Sequence, residues 1–96
     1  MVIFITSSRC RYCDAMKDRS WRDPEVETSV NQNFVAIELN PHDNAEVLSR
    51  IKVPMYPMTL IGIPEGRIIE KRTGYQPVSE VRSLLRAGLQ RRLQRR

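Results

Sequence analysis

Val2-Ile3-Phe4-Ile5-Thr6-Ser7-Ser8-Arg9-Cys10-Arg11-Tyr12-Cys13 is the stretch that decides the fold. Its first four residues are a short apolar run of strand formers ended by hydroxyl residues, the pattern of a strand buried on both faces. Ser7 or Ser8 can cap a helix that carries the two cysteines in its first turns. Working outward, that helix should break between Asp18 and Asp23. Asp23-Pro24 is then a fresh start, a cap followed by the first helical position, with Val26 and Val30 at helical spacing.

Phe34 to Leu39 reads as a second strand. Asp43 and Glu46 make a capping-box pattern that opens a short helix with Val47, Leu48 and Ile51 on its inner side. Met58 to Ile63 is a third strand, and Pro64-Glu65-Gly66 turns it into a fourth, Arg67 to Arg72, as an antiparallel neighbour. Pro77 starts a last helix whose apolar stripe is Val78, Val81, Leu84, Leu85, Leu89 and Leu93. The order β-α-β-α-β-β-α predicts an α/β fold. It combines a parallel crossover with an antiparallel hairpin in one four-stranded mixed sheet, with helices on both faces.

With 96 residues, 41% of them apolar, the chain has room for one core, and residues 1–96 are expected to form a single domain. It contains no apolar run long enough to span a bilayer. Met1 leads straight into the first strand without a basic n-region. The expectation is a cytoplasmic domain, or an exported one if the chain is the processed part of a longer precursor. Two cysteines cannot build a disulfide framework.

Cys10-Arg11-Tyr12-Cys13 carries the chemistry. A bare C-x-x-C is a weak signal, but one placed after a buried strand at the mouth of a helix is a strong one. The free N–H groups of a helix start favour a thiolate at Cys10, and Arg9 and Arg11 push the same way. Cys13, one turn further in, is the resolving partner. A fall of about two units from roughly 8.5 speeds attack only about threefold, because nucleophilicity falls with basicity. The same two units, about 2.7 kcal/mol, make the couple more oxidising by up to roughly 60 mV. The arginines are therefore expected to set redox poise more than speed.

The chain resembles the thioredoxin superfamily, and most of all the bacterial thioredoxin-like domains related to the C-terminal domain of transmembrane thiol:disulfide interchange proteins. Besides the C-x-x-C, Asp23-Pro24-Glu25-Val26, Asn33-Phe34-Val35, Ile51-Lys52-Val53 before Tyr56-Pro57, and Gly74-Tyr75-Gln76-Pro77 carry the likeness. The leading strand and helix of thioredoxin itself are missing. The resemblance implies a thioredoxin fold in which Pro57 is a cis-proline facing the dithiol, with Pro54 the competing candidate. Tyr56 would lend its backbone to a substrate peptide, Gly74 and Tyr75 would line the other edge, and Arg11 and Tyr12 would contact substrate. It also implies protein disulfide or dithiol substrates, with a partner reductase or oxidase to complete the cycle and no organic cofactor.

Two departures stand out. Arg9 replaces the Trp usual before the first cysteine, and Phe4 replaces a buried carboxylate that serves as proton shuttle. That leaves water, Asp14 or Lys17 to take a proton from Cys13. Tyr12 matches a glutaredoxin position, yet Met55-Tyr56 and the absent Gly-Gly-x-x-Asp pattern fit glutathione poorly.

Plainer readings stand beside these. A structural bridge would leave the cysteines inert. A closed zinc site wants four ligands, and His42, the one further soft ligand, reads as a solvated turn residue. A metal cluster shared between two chains would supply four cysteines. Trp21 and Met16 read as core, and Met55 as core rim or substrate contact. Arg86, Arg91-Arg92 and Arg95-Arg96 lack the aromatic residues that stack on bases, so solvated or dipole-stabilising roles outweigh nucleic acid or an acidic partner. The rival in a different class is a binding or adaptor module on the same fold, recognising a peptide or an acidic partner without turnover.

Overall fold

The computed structural model describes residues 1–94, with side chains to Arg91, so Arg95 and Arg96 and the side chains of Arg92 and Leu93 lie outside the described residues. The order is β1 (Val2–Ile5), α1 (Arg11–Ala15), a π-helical segment (Met16–Trp21), α2 (Pro24–Asn33), β2 (Ala36–Leu39), α3 (Ala45–Leu48), β3 (Met58–Gly62), β4 (Ile68–Thr73) and α4 (Val78–Gln94). The sheet order is β2-β1-β3-β4. β1 pairs parallel with β2 and antiparallel with β3, and β3 pairs antiparallel with β4. All four residues of β1 are buried because the strand is central and covered on both faces.

Alternation along β1 divides the interior into two layers. Val2 and Phe4 join Met16, Val26, Val30, Ile61, Val81, Leu84 and Leu85 beneath α2 and α4. Ile3 and Ile5 join Leu48, Met58 and Leu60 on the other face, where Ile51 and Val53 also pack. Trp21 closes the flank of the larger layer, its ring meeting Phe4 edge-on at 5.7 Å and 71°.

Local chemistry corrects several sequence expectations. Cys10 itself, not Ser7 or Ser8, is the N-cap of α1. The helix then widens into a π turn before Asp23 restarts it, with the Asp23 carboxylate accepting the Val26 N–H at 3.1 Å. The second strand is shorter than Phe34–Leu39, because the Phe34 N–H is spent closing α2 on the Val30 carbonyl at 2.9 Å. The capping box fails: Asn44 is the N-cap of α3, while Asp43 exchanges hydrogen bonds with Asn40. Val47 is exposed rather than inward, so only Leu48 and Ile51 anchor that helix.

Two basic residues of α4, Arg82 and Arg91, differ from a solvated face, while Arg86 is exposed as expected. Arg82 bridges to Asp23 at 3.1 Å and Glu25 at 2.9 Å, tying α4 to the start of α2. Arg91 reaches β4, donating to the Ile69 carbonyl and pairing with Glu70 at 2.8 Å. Trp21 and Met16 pack as core residues, and His42 is a solvated loop residue. Among the described residues no helix is long and apolar enough to cross a membrane, and no cluster of metal-ligating side chains is present.

Candidate active site

Strand register brings the motif residues to one end of the sheet. Ile5 is level with Leu39 and with Met58, and Met58 is level with Thr73. The chain leaving β1 toward Cys10, the chain entering β3 from Tyr56-Pro57, and the chain leaving β4 into Gly74-Tyr75 therefore share that end. The Asn40–Asp43 loop after β2 joins them.

Cys10 and Cys13 are joined by a disulfide with Cα atoms 5.2 Å apart. The cap geometry makes the two sulfurs unequal. Cys10 is partly exposed in extended backbone, and its Sγ accepts the Cys13 backbone N–H at 3.1 Å. Cys13 has no exposed surface. Just before them Arg9 adopts a left-handed backbone with φ 53°, which costs a non-glycine residue about 1–2 kcal/mol. Arg11 and Tyr12 follow on the outside, Tyr12 with 61% of its surface exposed.

A second cluster at this end of the sheet is held by short backbone bonds. The Tyr56–Pro57 peptide bond is cis. The Gly74 N–H donates to the Pro57 carbonyl at 2.7 Å. Gly74 has φ +82°, where only glycine is unstrained, and a Cβ there would approach the Met55 sulfur at 3.8 Å. Pro57 is fully buried, Tyr56 leans on the smaller core layer, Tyr75 on the larger, and Met55 stays half-exposed. Pro57, Gly74 and Met55 are thus in one cluster.

Sequence reasoning missed Ser20. It is fully buried in the π turn, and its hydroxyl donates to the Gln76 carbonyl at 2.6 Å, pinning the Gly74–Pro77 segment to the cysteine-bearing helix. A serine inside an apolar helix face was the available signal. Glu38 was missed as well. It stands level with Phe4 in the parallel pair and binds Lys17 at 2.5 Å. Lys17, Glu38 and Asp14 line a polar hollow of about 470 Å³ between the Thr6–Ser8 segment and the Asn40–Asp43 loop. The place of Glu38 follows from the β1–β2 register and not from alternation within β2 alone. A more apolar groove of about 370 Å³ lies along β2, lined by Val2, Phe4, Trp21, Val30 and Ala36.

Residues 1–89 match the thioredoxin-like domain family, and the chain belongs to it. Solved structures agree on the fold. A thioredoxin from Thermus thermophilus is similar with TM-score 0.76 and 22% identity, over 90% of this chain and 70% of that one. Thioredoxin 1 from Thermosipho africanus gives 0.69 and 19%, over 93% of each chain. A DsbH oxidoreductase gives 0.73 and 21%, over 88% of this chain and 71% of that one. No functionally curated relative matches. Family and cysteine pair together support thiol–disulfide oxidoreductase chemistry at a general level.

Proposed function

We propose that residues 1–96 act as one protein thiol:disulfide oxidoreductase domain, with Cys10 the nucleophile and Cys13 the resolving thiol. The observation that carries this reading is the inequality of the two cysteines: Cys10 is a partly exposed residue whose Sγ accepts an N–H, while Cys13 is fully buried. When the bridge is reduced, the same N–H is placed to stabilise a Cys10 thiolate.

In the reductive direction the Cys10 thiolate attacks one sulfur of a substrate disulfide. A Cys10–substrate bond forms, and the other substrate sulfur leaves as a thiolate that takes a proton. Cys13 then loses its proton and attacks the Cys10 Sγ, releasing the second substrate thiol and restoring the bridge. Two electrons pass to the substrate, and a partner reductase returns them. Run backwards, the steps oxidise a dithiol and an oxidase removes the electrons. Arg11, Tyr12, the Tyr56 backbone, Pro57, Gly74 and Tyr75 form the substrate rim in this reading. In this reading a carboxylate, Glu38 (ion-paired with Lys17) or Asp14, accepts the Cys13 proton.

The test is trapping. Cys13→Ser should accumulate a mixed disulfide through Cys10, and Cys10→Ser should reduce no disulfide at all. Equilibration against glutathione buffers then places the couple near −270 mV for a thioredoxin-like reductant, or between −120 and −180 mV for an oxidant or isomerase. A partner bound equally well by Cys10→Ser, with no turnover by the intact chain, replaces the enzyme with a binding module.

A further inference from the structure

The rim around Cys10 has a definite chemical character. Arg9 and Arg11 bracket the nucleophile in sequence, and both are exposed. Elsewhere Arg22, Arg50, Arg72, Arg82 and Arg91 each have a carboxylate within 4 Å, while the exposed Arg19, Arg67 and Arg86 have no ion pair among the described residues and lie away from the cysteines in sequence. Among the described residues, Arg9 and Arg11 have no such partner. Asp14, the acidic residue nearest in sequence, makes no ion pair with either guanidinium group.

Two large apolar side chains are exposed at the same end of the sheet, Tyr12 at 61% and Met55 at 52%. A Tyr between the two cysteines and a Met beside the Gly74 turn supply adaptable apolar contact. Cations without an ion-pair partner on both sequence neighbours of Cys10, with exposed apolar side chains at the same end of the sheet, complement a chain of opposite charge and mixed polarity.

We infer that the preferred substrate is a polypeptide disulfide whose cysteine has acidic residues beside it and an apolar residue further along. The inference rests on the dithiol-exchange reading and adds the substrate class to it. The guanidinium groups take the carboxylates, and Tyr12 and Met55 take the apolar neighbour. Two exposed ion pairs make a modest contribution each, so the preference is a matter of several-fold, strongest at low salt.

Three peptide disulfides of one length test it, with Glu, Ser or Lys on both sides of the cysteine and a constant Leu beyond. Each is reduced by the intact chain with dithiothreitol restoring the dithiol. At low ionic strength kcat/KM should run Glu over Ser over Lys, with about a tenfold span between the extremes, shrinking to about twofold in 0.5 M salt. The double variant Arg9→Gln, Arg11→Gln should bring the Glu/Lys ratio to within about twofold of one. The ratio is the readout because any change in Cys10 reactivity affects all three peptides alike. Equal rates for the three peptides, a salt-independent ratio, or a ratio that survives in the double variant each overturn the inference while leaving exchange intact. Reduction of none of the peptides would sink the exchange reading itself, and the substrate class with it.

Discussion

The two ends of this sheet are built by opposite rules. At the far end the chain is closed by its own backbone: the Met1 amino group donates to the Gly62 carbonyl at 2.6 Å, and the Gly62 N–H returns to the Met1 carbonyl at 2.8 Å. The hairpin beside it is shut by Ile63 N–H to Arg67 at 3.0 Å and Gly66 N–H to Ile63 at 2.8 Å. At the dithiol end, three irregular segments meet instead, with Arg9 left-handed, Tyr56–Pro57 cis and Gly74 left-handed. They are held by single cross-links, Gly74 to Pro57 and Ser20 to Gln76. The difference teaches where recognition can reside in so small a domain. One end spends its polar backbone groups locally, and the other leaves surface and irregular chain to meet a partner.

A pair of core truncations breaks the comparison hardest. Ile5 is buried at the dithiol end, level with Met58, and Ile61 is buried at the closed end, level with Val2. Ile5→Ala and Ile61→Ala should each cost about 2–5 kcal/mol in urea unfolding. Only Ile5→Ala should also slow disulfide reduction per folded molecule, because it loosens the strand that delivers Cys10. Equal slowing in both would mean that the two ends are mechanically one unit.

Two glycines sharpen it. Gly74 and Gly66 have φ near +82° and +89°, and neither has a close obstacle to a Cβ. Gly74→Ala and Gly66→Ala should therefore lose a similar amount of stability, about 1–2 kcal/mol each, from backbone strain. Activity should fall in Gly74→Ala and hold in Gly66→Ala. A fall in both would remove Gly74 from the substrate rim.

Much of this was legible in residues. The buried run at Val2–Ile5, the Asp23-Pro24 restart and the Pro64–Gly66 turn are local signals whose physics is settled within a few residues, and each produced the expected element. The site's membership is less local. Ser20 meets Gln76 across 56 positions, and Glu38 reaches Lys17 only after β1 and β2 align. The capping box at Asp43 misled because Asn40 competes for the same groups. Cys10 as cap was hidden because serines precede it and cap more commonly.

The smallest effect lies away from both ends, where Asp23 joins α2 to α4. Its carboxyl is held below the ordinary carboxylate value by the Val26 N–H and by Arg82, against a cost of desolvation. A depressed value in the folded chain means stability that is complete above the unfolded value of about 3.9 and fades as pH falls through the folded one. Asp23→Asn keeps a capping oxygen but loses the charge. It should be slightly less stable than the parent at pH 7, with the gap closing below about pH 4. A gap that stays constant to pH 2 would show that the charge is irrelevant.

The outer strand β2 has a consequence for handling the protein. It is four residues long, largely exposed and unpaired along its outer edge, with Ile37, and Val35 just before the strand, showing apolar surface. Such a margin is a template on which a foreign strand can lengthen the sheet. Glu38, kept in place by Lys17, is the charge that discourages this stacking. The same carboxylate thus guards the sheet's open edge and lines the hollow between the Thr6–Ser8 segment and the Asn40–Asp43 loop.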